Sequence, residues 1–339
     1  MAELLEIRNL KTSFYTAGGE VQAVRGVSLS VGQGESVGVV GESGSGKSVT
    51  FLSVLRLLAS NARIKEGEIL FEGRDLARMP KKALRAIRGG SISMIFQDPM
   101  SSLNPLLPVG EQVSEMIWAH DRAVRPKERA EKVMELFRLV RIPEAEKRFK
   151  SFPHEFSGGM RQRVMIAMAL ACRPGILIAD EPTTALDVTI QDQILKLMRH
   201  LQAEMGMGIV FITHDLGVIA ELCSRVVVMY GGLIMEEAPI DDLFERPMHP
   251  YSMGLLQSVP GIARDKSTRL KPIGGSPPDM IKPPPGCPFA PRCPYARLIC
   301  QDQVPPYTTF GEHRRSMCWL LVSGAPREDN PFAGAEALP

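Results

Sequence analysis

The residues Gly41-Glu42-Ser43-Gly44-Ser45-Gly46-Lys47-Ser48 fit the pattern G-x-x-x-x-G-K-[ST]. The chemistry that pattern serves is phosphate binding. Glycines let the backbone turn tightly, so that successive N–H groups point at one anion. A helix beginning at the end of the loop adds partial positive charge. Lys47 is placed to reach the outer phosphates of a nucleotide, and the Ser48 hydroxyl to ligate Mg²⁺. Two further stretches carry chemistry. Ile176-Leu177-Ile178-Ala179-Asp180-Glu181 is an apolar run ending in two acids. A carboxylate there, Asp180, suits Mg²⁺, and Glu181 suits a general base that takes a proton from water. Phe156-Ser157-Gly158-Gly159-Met160 opens a long helical pattern and offers N–H groups for a second anion. Alone, Ser157 reads equally as an ordinary helix N-cap.

These loops need elements to hold them. Residues 35–40 form an apolar strand running into the glycine-rich loop, and the pattern from Val49 to residue 58 is helical. Residues 4–10, 24–31, 67–71 and 91–96 read as further strands. So do 176–180, 209–213 and 226–230, short runs rich in β-branched residues, as in a buried parallel sheet. Residues 160–171 and 189–205 read as helices. Between about 98 and 157 no strand is legible, and apolar spacing at 111–120 and 127–140 predicts a helical insert. Helices are expected at 240–245 and 251–259. Past that point proline and glycine crowd residues 274–294, which excludes helix or central strand there. The expected division is 1–260 for a nucleotide-binding domain and 261–339 for a small proline- and cysteine-rich module.

Bulk composition narrows the class. The 339 residues are 44% hydrophobic and 23% charged, with a net charge of +2, so the basic excess of a nucleic-acid binder is missing. No apolar run reaches membrane-spanning length, and the first residues lack the order of a signal peptide. A cytoplasmic chain is expected, one that works at a membrane only through partners.

In combination, the motifs resemble the nucleotide-binding domain of ABC ATPases. Ser157-Gly158-Gly159-Met160 stands where that family has its signature, with Phe156 and Met160 replacing the commoner Leu and Gln. Gln97 resembles the Q-loop glutamine, which contacts Mg²⁺. Thr184-Ala185-Leu186-Asp187 resembles the D-loop, and His214 the switch histidine that meets the γ-phosphate. Phe14 or Tyr15 matches the aromatic residue that stacks on adenine. The resemblance implies an α/β fold with a parallel-sheet core, an antiparallel β subdomain and a helical insert. It implies ATP and Mg²⁺ as ligands, and head-to-tail pairing in which one chain's signature acts on the other's ATP. The segment from Gln97 to Pro105, the run from Ser157 to Ala167, His249-Pro250-Tyr251 and the Cys-Pro-Phe and Pro-Arg-Cys-Pro elements further resemble the oligopeptide and dipeptide importers. That implies a second ATPase subunit, different or identical, two permease subunits and an extracytoplasmic solute-binding protein. It places the chain peripherally on the cytoplasmic face of the cell membrane.

Four of six cysteines, Cys287, Cys293, Cys300 and Cys318, crowd the tail. Clustered thiols in a cytoplasmic protein suit a metal, either Zn²⁺ or an iron–sulfur cluster. The alternative is free thiols in a module with little core. No C-x2-4-C opening of the usual zinc kind is present. Resemblance to importers with such tails implies a 4Fe–4S cluster. Rival readings are a soluble ABC ATPase of translation or DNA repair, a sensor that uses ATP only as a ligand, and an importer of glutathione, a metal chelate or an opine. A single cassette without a heptad run disfavours the first, and Glu181 with His214 disfavours the second.

Overall fold

The computed structural model describes residues 3–97, 102–184, 186–258, 272–325 and 328–335. Two compact units are built from interleaved stretches of chain. One comprises residues 5–30, 36–77 and 212–339, and the other residues 1–4, 31–35 and 78–211.

The first unit carries the phosphate loop. Its parallel pair is Ser36–Val40 beside Arg225–Tyr230, with Val39 opposite Val227. Apart from Ser36 both strands are buried, largely through valines, which is why they read as apolar runs. Arg225–Tyr230 then pairs antiparallel with Leu233–Pro239. That strand is not legible in the sequence, because Glu236 and Glu237 lie at its centre. Both are buried, Glu237 as a paired charge and Glu236 as an acid whose pKa burial raises. Glu237 pairs with Arg225 and, at 2.8 Å, with Arg315. Glu236 Oε1 accepts the Met248 N–H at 2.6 Å. A buried charge is tolerated only on such terms.

The tail adds order beyond the loops expected of it. Tyr307–Gly311 and Arg314–Met317 form a hairpin that docks antiparallel on Leu233–Pro239. A separate sheet in this unit runs in the order Gly19–Gly32, Glu3–Thr16, Ala62–Phe71, Arg74–Asp75. Its strands outrun the residues 4–10 and 24–31 expected from the sequence.

The helix after the phosphate loop, Lys47–Val54, stops earlier than the expected residue 58. Apolar spacing continues through Leu57, but Arg56 adopts φ 50°. The Arg56 N–H then bonds Ser53 O at 3.0 Å and the Leu57 N–H bonds Leu52 O at 2.9 Å. This is a Schellman termination, and hydrophobic spacing carries no sign of it.

In the second unit Ile92–Ile95 runs parallel to Ile176–Asp180. The Gly208 N–H bonds Gly175 O at 2.9 Å, starting the next strand, Gly208–Thr213. Helices Val109–His120 and Pro126–Leu139 pack on each other and on Gly158–Leu170, burying Val113, Val133, Phe137 and Val164. No strand lies between residues 102 and 157, so the helical insert is present as expected. The expected helix end at Val259, Ala185 of the D-loop match, and Asp98 to Ser101 of the importer match lie outside the described residues. Among the described residues, no helix is long and apolar enough to cross a membrane.

Candidate active site

The phosphate loop is shaped by close backbone packing. Gly41 has φ 151°, and a Cβ there would meet Met229 O at 2.1 Å, so only glycine fits. The loop curls around Lys47, which is 7% exposed. Lys47 Nζ donates to Gly41 O at 2.7 Å, to Glu42 O at 3.0 Å and to Ser45 Oγ at 3.4 Å. The ammonium is thus poised inside its own loop at the head of a helix. A phosphate oxygen can take over from carbonyl acceptors without new charge being buried unpaired. Ser48 follows half-buried in the first turn, and Ser43 and Gly44 are exposed at the loop's crest. Glu42 is held from behind: its N–H bonds Tyr251 Oη at 2.9 Å, and its carboxylate receives Arg292 at 2.7 Å.

The other unit holds the acidic strand end. Asp180 closes the strand and is 6% exposed. Glu181 follows with φ 47°, a left-handed conformation that is rare for a side chain of this kind. The turn re-aims the chain, so Asp180 stays inside while Glu181 is more open. Gln97 Nε2 and Thr184 Oγ1 both donate to Glu181 Oε2, each at 2.9 Å. The structure thus brings Gln97 and Glu181 into hydrogen-bond contact, a pairing that the sequence, which assigned Gln97 a Mg²⁺ contact and Glu181 the base, did not report. Thr184 entered the sequence reading only as part of a D-loop match, and its bond to the Glu181 carboxylate was not legible there.

In the same unit Ser157 caps the helix Gly158–Leu170, accepting the Met160 N–H at 3.4 Å. The N-cap reading of Ser157 is therefore present in the structure, and the cap leaves Ser157 and Gly158 exposed. A Cβ on Gly159 would meet Ile190 Cγ2 at 2.5 Å. That close approach packs the signature turn on the helix Val188–Met205, which Asp187 caps through the Ile190 N–H at 2.9 Å.

Comparison with known proteins follows the same outline. Residues 24–184 match the family model described as ABC transporter, and residues 235–300 match that of the oligopeptide/dipeptide transporter C-terminal region. The chain is 50% identical to the oligopeptide transport ATP-binding protein OppD of Bacillus subtilis, over 98% of this chain and 93% of that one. It is 51% identical to the probable peptide ABC transporter ATP-binding protein y4tR of Sinorhizobium fredii, over 93% and 94%. The chain belongs to the ATP-binding subunits of peptide-type ABC transporters.

As such a subunit it is an ATP-binding and ATP-hydrolysing protein, and its fold is the P-loop ABC ATPase fold with helical insert and small C-terminal module. Among solved structures it resembles the ATP-binding cassette MJ0796 in a dimeric, post-hydrolysis form bound to ADP and phosphate. The TM-score is 0.63 at 30% identity, over 70% of this chain and 98% of that one. In this subunit His214 is exposed after the strand Gly208–Thr213, next to Asp215, whose N–H bonds Thr213 Oγ1 at 3.1 Å. Phe14 is half-buried, paired in register with Ala62, and Tyr15 is 44% exposed.

The tail cysteines of the subunit require a correction. Neither a 4Fe–4S cluster nor the zinc alternative is supported. Among the described residues, which include Cys287, Cys293, Cys300 and Cys318, no group of three or more His, Cys, Asp or Glu is arranged to hold a metal ion. All four are free cysteines. Burial pushes the Cys287 thiol up to about 12 and that of Cys293 up to about 11, and raises Cys318 as well. Cys318 packs in an apolar cluster with Met248, Leu320 and Phe332, and Cys300 Sγ accepts the Arg297 N–H at 3.4 Å. The clustering that suggested a ligand set belongs to small side chains, three of them buried.

Proposed function

We propose that this subunit hydrolyses ATP to energise the import of peptides across a cell membrane. The observation that carries the catalytic half is Lys47, buried and held by the carbonyls of its own loop at the head of a helix. Similarity along nearly the whole chain to proteins named for peptide transport supports the cargo.

The residues fit the ligands this reading requires. Residues 41 to 46 form the glycine-rich loop, tight enough at Gly41 that a Cβ would meet Met229 O, and Lys47 supplies the charge. Ser48 offers a hydroxyl, Asp180 a carboxylate and Gln97 a carboxamide oxygen, which are the hard donors Mg²⁺ takes. Bound Mg²⁺ would neutralise phosphate charge and favour attack by water. Glu181 is the residue to accept that water's proton, with Gln97 and Thr184 fixing its carboxylate. His214 is the residue to contact the γ-phosphate, and Phe14 or Tyr15 to give adenine an aromatic face.

The chain acts in a pair. Ser157, Gly158, Gly159 and Met160 serve the ATP held by a second ATPase subunit, and Asp187 lies where the two meet. The dimeric cassettes among the structural relatives support this arrangement. The complete importer adds two permeases and an extracytoplasmic solute-binding protein, with this subunit peripheral on the cytoplasmic face. The deciding variant is Glu181→Gln. Turnover should fall by roughly 10²- to 10⁴-fold while ATP affinity changes by less than about threefold. Undiminished phosphate release would overturn the assignment.

A further inference from the structure

The C-terminal module reaches the phosphate loop, through one side chain above all. Arg292 lies between Pro291 and Cys293, some 250 residues from the loop in sequence, and its side chain is 6% exposed. Its guanidinium uses each nitrogen. Nη1 donates to Glu42 Oε2 at 2.7 Å and to Tyr230 Oη at 2.9 Å. Nε donates to Gly274 O at 2.8 Å and Nη2 to Ile273 O at 3.1 Å. Tyr230, Tyr251 and Phe289 pack around this point, tilted or edge-to-face, with ring centroids 4.6–5.4 Å apart, and the guanidinium lies 5.6 Å from the Tyr230 ring. Tyr251 in turn holds the Glu42 N–H. Glu42 is thus fixed by its backbone through Tyr251 and by its carboxylate through Arg292.

The contact extends along the module. Pro288 and Pro278 pack on Gly231. Pro277, Pro278 and Met280 line the same crevice as Glu42, Ser43, Gly44 and Ser45. The Gln22 N–H bonds Met280 O at 2.9 Å, and Arg25 Nη2 bonds Pro284 O at 3.0 Å. Because Lys47 Nζ bonds the carbonyl of Glu42, displacement of Glu42 moves an acceptor of the phosphate-binding lysine itself.

We propose that Arg292 is a positioning residue for ATP binding, acting through Glu42 to hold the phosphate loop in its binding shape. The C-terminal module is on this view part of the nucleotide site rather than an appendage to it. The inference rests on the reading of the loop as the ATP site, so both are tested together on the full chain. ATP affinity is measured by calorimetry without divalent ions, so that no turnover intervenes. Wild type binding no ATP, or Lys47→Ala binding as well as wild type, overturns the reading of the site. With that reading intact, Arg292→Ala should weaken ATP binding about tenfold and Glu42→Gln by about three- to tenfold. The double variant should be no weaker than Arg292→Ala alone, because both act along one route. Additive losses overturn the route through Glu42. A folded Arg292→Ala with wild-type affinity overturns the proposal. Should that variant not fold, Glu42→Gln and Arg292→Lys decide it. Arg292→Lys keeps the ion pair but not the fork, and should fall between wild type and Glu42→Gln. Wild-type affinity in Glu42→Gln overturns the proposal.

Discussion

The phosphate loop and the Glu181 turn are both polar sites at the ends of buried strands, but they are held in opposite ways. Around the loop, polar groups are buried and matched: Lys47 by carbonyls, Glu42 by Tyr251 and Arg292. Around Glu181, two neutral donors share one carboxylate oxygen, and the backbone sits in a left-handed conformation. A site that must recognise one fixed anion gains from being built in advance. A base that must pick up a proton and release it gains from partners it can exchange. On the proposed function, the difference separates gripping the nucleotide from acting on it.

That contrast can be broken by experiment. Lys47→Ala should have the largest effect, lowering ATP affinity by roughly 10²- to 10³-fold, the loss expected when charged hydrogen bonds to phosphate go. A calorimetric affinity within tenfold of wild type would show that the loop does not depend on its lysine.

Next come the buried groups behind the loop. Burial pushes the Glu236 carboxyl up from 4.5 to about 7, while it pushes His249 down from 6.5 to about 3. His249 Nδ1 accepts the Tyr251 N–H at 3.0 Å, capping its helix in the neutral form. Arg314 is the other charged group facing Glu236. The signs oppose each other. Glu236 contributes stability that is full below pH 4.5 and lost as pH rises toward 7. His249 contributes stability present above pH 6.5 and lost as pH falls toward 3. Between pH 4.5 and 6.5 the two nearly cancel. Glu236→Gln should therefore make stability rise with pH across that window. At pH 8 it should stabilise the chain by an amount on the order of 3 kcal/mol. Melting temperatures across pH 4–8 check this, and an unchanged profile would show that Glu236 is not buried as a neutral acid.

The smallest effect concerns the adjustable side. Thr184→Ala should lower kcat about tenfold with little change in the KM for ATP, since the bond touches the base and not the nucleotide. A change in KM alone would place Thr184 with the gripping residues instead.

Much of this was legible in the sequence, for a physical reason. The phosphate loop, the Asp180-Glu181 strand end and the Ser157 turn are local devices, so short patterns report them. The parallel strands were legible because burial on both faces makes them apolar throughout. What was missed depends on partners distant in sequence. The strand Leu233–Pro239 hides because Arg225 and Arg315 neutralise Glu237 from elsewhere in the chain. Arg292 hides because Glu42 lies far before it in the chain. The tail cysteines misled because thiols that pack a module and thiols that bind metal can cluster alike in sequence, and only their surroundings tell them apart.

The hairpin Tyr307–Met317 has a consequence of its own. By pairing with Leu233–Pro239 at Glu236 and Glu237 it covers a strand that would otherwise end its sheet with bare N–H and C=O groups. The exposed rim becomes a short strand with Thr308, Thr309 and Gly311, a poor template for another chain. A form of the chain cut before the hairpin would uncover a sticky border, and its characteristic failure would be self-association through strand pairing.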